Sequence, residues 1–365
     1  MELEVIILAA GQGTRMQSSL PKVLHPVGGK PMLQHIIDTA KTLQPSVCHV
    51  VIGHGGETIR QQLSQPGVNW VEQKEQLGTG HAVRQALPHV ADEADVLILV
   101  GDTPLVTATS LQALLAVAKP ALLTAEVADP RSLGRIVRDN KDNFSAVVEF
   151  KDANQEQQKI SEINSGVITA TAVQLNTWLP RVKNHNNQKE YYLPDILPLA
   201  LDDGLTVHTV QTSELEVLGV NDKAELNRVE RELQLRRATE LMQKGTTLAD
   251  AQRIDIRGEL TVGQNVFIDI NAVFEGDVTL GDNVSIGPNC VLNNVTLGND
   301  VVIKAFSHLE DVTAEAGCEI GPYARLRPGT NLASNAKIGN FVETKNANIG
   351  AGSNVNHLSY VGDSE

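Results

Sequence analysis

Aromatic side chains make up only 3% of the 365 residues, against a hydrophobic fraction of 41%, so any core must be packed mainly by aliphatic groups. Cysteine is almost as scarce. Cys48, Cys290 and Cys318 stand far apart with no C-x-x-C pair, which excludes a disulfide framework or thiolate cluster and leaves three reduced thiols acting as small apolar residues. Positive charge is also in deficit: 30 Lys and Arg face 44 Asp and Glu, a formal charge of −14. Nucleic acid and anionic membrane are therefore disfavoured as main partners, because phosphate surfaces need a positive field. No apolar run approaches the ~18 residues of a membrane span, and no charged-then-apolar leader opens the chain. The expectation is a cytoplasmic protein with no nucleic-acid or membrane partner. Any phosphate site must be a local basic pocket.

The opening of the chain offers such a pocket. A short apolar strand, Val5-Ile6-Ile7-Leu8, runs into Ala9-Ala10-Gly11-Gln12-Gly13-Thr14-Arg15-Met16. Without Cβ atoms, Gly11 and Gly13 let backbone N–H groups approach an anion closely. Arg15 adds a planar donor fork suited to phosphate oxygens, and Pro21 stiffens the segment that presents Lys22. The same loop departs from two other phosphate motifs. Met16 stands where a dinucleotide fingerprint G-x-G-x-x-G has its third glycine, and no Gly-Lys-Ser/Thr of a P-loop follows. A glycine turn alone can be a mere connection; the two cations point it toward phosphate.

The length suits two domains. Over residues 1–222 apolar strands at 4–9, 49–53, 69–72, 96–100 and 122–127 alternate with helical spacing at 32–43, 57–65, 81–87 and 110–118. Such alternation predicts an α/β unit with a mainly parallel sheet, Rossmann-like in its layering, whose ligand sits beyond the carboxyl ends of the strands. Residues 223–245 read as one long linker helix with a solvated charged face, stopped at Gly245. In residues 246–365 the period changes. Val262, Ile268, Phe274, Leu280, Ile286 and Leu292 fall six apart; Leu297, Ile303 and Leu309 resume after a one-residue slip, followed by Ile320, Leu326, Leu332 and Ile338. Glycine often follows, as at Gly263, Gly281 and Gly287. A six-residue period fits a hexapeptide-repeat parallel β-helix, with each apolar residue pointing inward. The ending at Gly362-Asp363-Ser364-Glu365 shows no cap, so the expectation is a β-helix incomplete at its C-terminus.

The L-A-A-G-x-G-T-R-M…P-K opening, Gln76-Leu77-Gly78-Thr79-Gly80-His81-Ala82, Gly101-Asp102-Thr103-Pro104-Leu105, Glu162-Ile163-Asn164-Ser165-Gly166-Val167 and Gly219-Val220-Asn221 together resemble the sugar-1-phosphate nucleotidyltransferases. Ala324-Arg325-Leu326-Arg327-Pro328-Gly329 and His357-Leu358-Ser359-Tyr360 extend the likeness to the bifunctional bacterial enzymes that join an N-acetylglucosamine-1-phosphate uridylyltransferase to a glucosamine-1-phosphate acetyltransferase. The resemblance implies a left-handed β-helix and covers essentially the whole chain.

The resemblance implies attack by a sugar-1-phosphate oxygen on the α-phosphorus of UTP, expelling pyrophosphate with Mg²⁺ present. The nucleophile is already anionic, so catalysis should come from positioning and cationic stabilisation. Arg15 is assigned to the β- and γ-phosphates and Lys22 to the phosphates nearer the reacting centre. Asp102, at the end of an apolar strand, suits Mg²⁺, and Asn221 resembles the second metal ligand; a competing expectation makes Asp102 the cap of a helix beginning near Pro104. Leu8, Ala9, Ala10, Gly11, Gln73, Gly78, Thr79 and Gly101 resemble the nucleotide pocket, and Gly134, Glu149 and Asn164 the acetamido-sugar pocket. His81 is expected to be structural.

In the second half, acetyl transfer from acetyl-coenzyme A to glucosamine-1-phosphate would use His357 as base. Arg327, Lys345 and Tyr360 resemble the residues that hold the sugar phosphate. The family's further coils, which supply most acetyl-coenzyme A contacts, have no counterpart here, so this activity is expected to be lost or impaired. The solenoids of the family form trimers, and a homotrimer is expected. The alternatives are a nucleotidyltransferase for another sugar-1-phosphate, and a non-catalytic regulatory subunit of the same fold.

Overall fold

The structure, a computed structural model, describes residues 2–130 and 133–364. Contacts divide it into two units: Met1–His25 with Pro31–Val229, and Pro26–Lys30 with Glu230–Glu365.

The first unit is built on a mixed sheet. Its principal strands run in the order His208–Thr212, Ala121–Glu126, Glu162–Thr171, Asp95–Val100, Leu3–Ala9 (β1), Val47–Ile52 and Val68–Glu72. β1 lies parallel to both neighbours, pairing Ile6 with His49 on one side and Ile98 on the other. Alternate β1 residues serve opposite layers: Ile6 joins one aliphatic core, Val5 and Ile7 the other. Both faces are thus buried, which is why the strand reads as an unbroken apolar run. The five expected strands and the four helices α1 (Met32–Thr42), α2 (Gly56–Leu63), α3 (Thr79–Ala86) and α4 (Ala108–Ala116) all form, within a few residues of their expected bounds.

The departures have identifiable causes. Strand Glu162–Thr171 runs antiparallel to both neighbours and carries a bulge between Asn164 and Ile168. Gly166 takes φ +79° there, a left-handed conformation that glycine adopts without a Cβ penalty. Helix α4 starts at Ala108 rather than near Pro104 because Thr107 caps it, its side chain accepting the Ser110 N–H. Asp102 is therefore not a helix cap.

In the second unit the six-residue period is stacked parallel strands. Strand Ile254–Val262 pairs with Ala272–Leu280 at a spacing of 18 residues, Ile254 opposite Ala272 and Leu260 opposite Val278. The next coil begins at that spacing, Val273 opposite Val291, then shifts by one so that Thr279 meets Thr296. The slip at Leu297 is thus a 17-residue coil shortened at a corner. Every member of the six-residue series is buried except Val262, which packs against the core from a partly exposed position in the first coil.

Helix α5, Lys223–Gln243, keeps its charged residues exposed or half-exposed, as expected, but buries one polar side chain among them. From Glu230 onward it belongs to the β-helix unit. Gln234 is 2% exposed, and its amide donates to the Ile256 carbonyl at 2.9 Å and accepts the Ile256 N–H at 2.8 Å. One side chain thus imitates a strand neighbour for the first coil's edge.

The β-helix corners hold residues in the left-handed region. One column of corners reads Asn271, Asn289, Phe306, Tyr323, Phe341 and Leu358, with φ between 50 and 60°. Asparagine tolerates this conformation; bulky residues seldom adopt it. The three rings stack at 5.0 and 5.2 Å between centroids while remaining 49, 48 and 55% exposed.

Candidate functional site

The carboxyl end of β1 leads directly into the glycine turn. Gly13 has φ +62°, and a Cβ there would lie 2.6 Å from the Lys22 Cβ. Met16 is 1% exposed and anchors the loop from below, while Arg15 on the same helical turn points outward with no ion-pair partner among the described residues. Pro21 opens the next short turn, Lys22–Leu24, whose Val23 and Leu24 are buried. The loop is pinned by apolar anchors and presents its cations.

Three distant segments meet across this loop. Gly101 donates its N–H to the Leu8 carbonyl at 2.9 Å, so the strand carrying Asp102 ends beside β1. The Asp102 carbonyl accepts the Val220 N–H at 3.0 Å, which brings in Asn221. Asp222 accepts the Glu225 N–H at the start of α5, and Glu225 accepts the Asn221 N–H at 2.7 Å. The Lys22 ammonium lies 2.5 Å from Asp102 Oδ2 and donates to Asn221 Oδ1 at 3.4 Å.

These residues line a cleft of about 520 Å³ that holds Leu8 to Gly11, Arg15, Lys22, Gln73, Gly78, Thr79, Asp102 and Asn221. A Cβ on Gly11 would meet nothing within 4 Å. Gln73 is 3% exposed; its amide donates to the Gly78 carbonyl at 3.2 Å and approaches His81 Nδ1 at 2.9 Å. His81 also meets the Gln85 amide at 3.2 Å, so both ring nitrogens are engaged within the fold. The Thr79 hydroxyl accepts the Leu193 N–H at 2.9 Å.

Gly134, Glu149 and Asn164 form a separate group. The Asn164 N–H donates to the Gly134 carbonyl at 2.9 Å, and a Cβ on Gly134 would lie 2.9 Å from Glu149 Oε1. Glu149 borders a cavity of about 270 Å³ with Asp152, His185, Tyr192 and Asp195. Burial raises the Glu149 and Asp195 pKa values, helped by nearby carboxylates, and Asp195 reaches about 6.

Sequence reasoning missed Asp195 and also Glu190, which lines the first cleft. Gly78 and Gly80 pack against the Tyr191 backbone, and Gly80 donates to the Tyr191 carbonyl at 2.8 Å. The available signal was Tyr191-Tyr192, half of the four tyrosines in an aromatic-poor chain.

In the β-helix unit, Arg327 donates to Glu343 at 3.0 Å, and Lys345, His357 and Tyr360 are exposed on the following coils. Tyr360 stacks opposite Glu343, and His357 opposite Asn340.

The donor set in the first cleft fits a magnesium ion. One carboxylate and one amide oxygen converge on a single positively charged atom, and no group of three His, Cys, Asp or Glu side chains suited to a metal occurs among the described residues. Magnesium commonly takes one or two protein oxygens and draws the rest from water and substrate phosphate.

Residues 5–153 match the MobA-like NTP transferase domain, and residues 260–294 the bacterial transferase hexapeptide of six repeats. The chain is 53% identical over 365 residues to the bifunctional protein GlmU of Marinobacter nauticus, covering 99% of this chain and 80% of that protein. The GlmU proteins of Stutzerimonas stutzeri and Cellvibrio japonicus match at 52 and 53% identity, over 100 and 99% of this chain and 81% of each relative. The chain belongs to the GlmU family. It is a uridylyltransferase-family enzyme with a hexapeptide-repeat second half. A protein from Bacillus anthracis assigned as a glucose-1-phosphate thymidylyltransferase, solved with sucrose, shares the fold at TM-score 0.51 and 18% identity, over 62% of this chain and 94% of that one. No helix among the described residues is long and apolar enough to cross a membrane.

Proposed function

We propose that the first unit transfers a uridylyl group from UTP to N-acetylglucosamine-1-phosphate, giving UDP-N-acetylglucosamine and pyrophosphate in the cytoplasm. The convergence of Lys22, Asp102 and Asn221 beside the glycine turn carries this reading. The triphosphate lies over Gly11, where no side chain intrudes, with Arg15 on its outer phosphates and Lys22 nearer the α-phosphorus. Asp102 and Asn221 hold Mg²⁺, which when bound neutralises charge on the phosphate oxygens. Arg15 and Lys22 offset the charge that builds on the departing pyrophosphate. Gln73, fixed by Gly78 and His81, offers a preset amide to the base. Glu149 and Asn164 meet the acetamido sugar. The phosphate nucleophile needs no general base, so the pKa of no side chain has to be matched to the reaction.

The second reading concerns the β-helix. Arg327, Lys345 and Tyr360 hold the phosphate of glucosamine-1-phosphate and His357 takes the amine proton during acetyl transfer from acetyl-coenzyme A. Lys345, His357 and Tyr360 are exposed and Arg327 half-buried on successive coils, and we place the acetyl donor against them. We assign the aromatic corner column to contact between copies of this chain in a homotrimer. Exposed rings held in an unfavourable backbone conformation, where the same column uses asparagine in earlier coils, support that assignment.

Pyrophosphate release from UTP with Mg²⁺ tests the first reading. N-acetylglucosamine-1-phosphate should outpace glucose-1-phosphate and glucosamine-1-phosphate; equal or preferred use of glucose-1-phosphate would overturn the substrate. Thiol release from acetyl-coenzyme A with glucosamine-1-phosphate measures what acetyl transfer this chain retains.

A further inference from the structure

The Lys22 ammonium stands where a divalent ion would be expected, and the chain around it explains why. Pro21 and the buried Val23 and Leu24 fix the backbone of its turn, and Gly13 packs against its Cβ. Only the flexible stem can move. That stem delivers a compact point charge, 2.5 Å from Asp102 Oδ2 and 3.4 Å from Asn221 Oδ1, with the Lys22 side chain 12% and that of Asp102 24% exposed. A partly buried carboxylate left without a counter-charge is costly, so some cation is needed between these oxygens in every state. An ammonium and a divalent ion cannot share that position, because like charges a few ångströms apart repel strongly.

We propose that Lys22 is the resident counter-cation of the metal site: its ammonium fills the gap between Asp102 and Asn221 in the nucleotide-free chain and must leave before a divalent ion enters. This rests on the reading that Asp102 and Asn221 hold the ion. Triphosphate oxygens in the adjoining cleft supply the alternative anionic partner that draws Lys22 away. Metal and nucleotide then bind with positive coupling, because each prefers the state in which Lys22 has swung out. A guanidinium would serve less well, since its planar fork is not the compact, mobile point charge of an ammonium.

The test measures Mn²⁺ alone, without nucleotide, by calorimetry and by the electron paramagnetic resonance of the free ion. Mn²⁺ takes the same octahedral oxygen ligands as Mg²⁺. Lys22→Met should tighten Mn²⁺ binding by roughly fivefold or more, and Lys22→Gln should do the same should the Met variant fold poorly by circular dichroism. Arg15→Met makes the same charge change on the same loop without touching Asp102, and should have a much smaller effect. Unchanged binding in folded Lys22 variants, or an equal gain in Arg15→Met, would overturn the proposal. Asp102→Asn separates the two readings. If it leaves Mn²⁺ binding intact, the metal assignment itself fails; if it abolishes binding while the Lys22 variants resemble the parent, only the counter-cation role fails.

Discussion

Lys22 and Asp102, eighty positions apart in the chain, join the glycine turn after β1 to the end of strand Asp95–Val100 through a 2.5 Å ion pair. Replacing Asp102 with Asn keeps the shape and removes the charge. Uridylyl transfer should fall by roughly 100-fold or more, as when a single electrostatic group is removed from a preorganised site. Far-UV circular dichroism and the melting curve should remain close to the parent. Near-normal pyrophosphate release would remove Asp102 from the reaction.

The two glycines of the turn should respond differently to alanine. At Gly13 a methyl group would press on Lys22 Cβ at 2.6 Å, and φ is +62°. Gly13→Ala should cost about 1–3 kcal/mol of stability and lower turnover by displacing Lys22. At Gly11 nothing lies within 4 Å, so Gly11→Ala should leave the melting temperature nearly unchanged while raising the KM for UTP. Equal thermal shifts in the two variants would contradict this geometry.

Asp195 gives the fold a pH signature. Burial, reinforced by the nearby Asp152 carboxylate, holds its pKa at about 6, above the ~3.9 of an unfolded chain. The folded state binds the extra proton, so this contribution is fully present below about pH 4 and is lost as pH rises through about 6. Asp195→Asn should therefore melt higher than the parent at pH 7, with the gap closing toward pH 4. A pH-independent gap would show that Asp195 does not titrate in this way. Glu149 shifts in the same direction and partly because of the Asp195 carboxylate, so the gap also carries the relief of Glu149 and has the same sign.

The stacked corner rings yield a prediction about assembly. Phe306→Asn, Tyr323→Asn and Phe341→Asn copy the residue found at Asn271 and Asn289 in the same column. Each should fold, since asparagine suits the left-handed region better than an aromatic ring. The triple variant should shift toward monomer in analytical ultracentrifugation. A trimer of undiminished stability would clear this column of any part in association.

Much of the architecture could be read in advance, for physical reasons that also mark where reading stopped. Val5 to Leu8 announced a strand because both faces are covered, and the six-residue series announced itself because each member is forced inward. Strand Glu162–Thr171 was not assigned: Asn164-Ser165-Gly166 resembles a turn, and here the same residues form a bulge within a continuous strand. The charges on α5 stay at least partly exposed, but nothing in the sequence showed that Gln234 is nearly buried to satisfy Ile256. Arg15, Lys22 and Asp102 stood out as chemistry-bearing types at strand ends. Their convergence with Asn221 rested on the family resemblance alone, since Lys22 and Asn221 are 199 positions apart and meet through the Val220 hydrogen bond and the cap of α5. Asp195 escaped for the same reason: it becomes a neighbour of Glu149 only in the folded chain.

The passage from 18-residue to 17-residue pairing takes place between Glu275 and Thr279, where left-handed backbone at Gly276 and Asn294 turns the chain, rather than along a face. Length can therefore vary only at such hinges. An extra or missing residue in the middle of a rung would turn every later inward methyl toward water until the next bend, whereas one at a bend is absorbed without rotating its neighbours. Insertions and deletions among natural or engineered versions of this half should cluster at the edges of the prism and spare its sides.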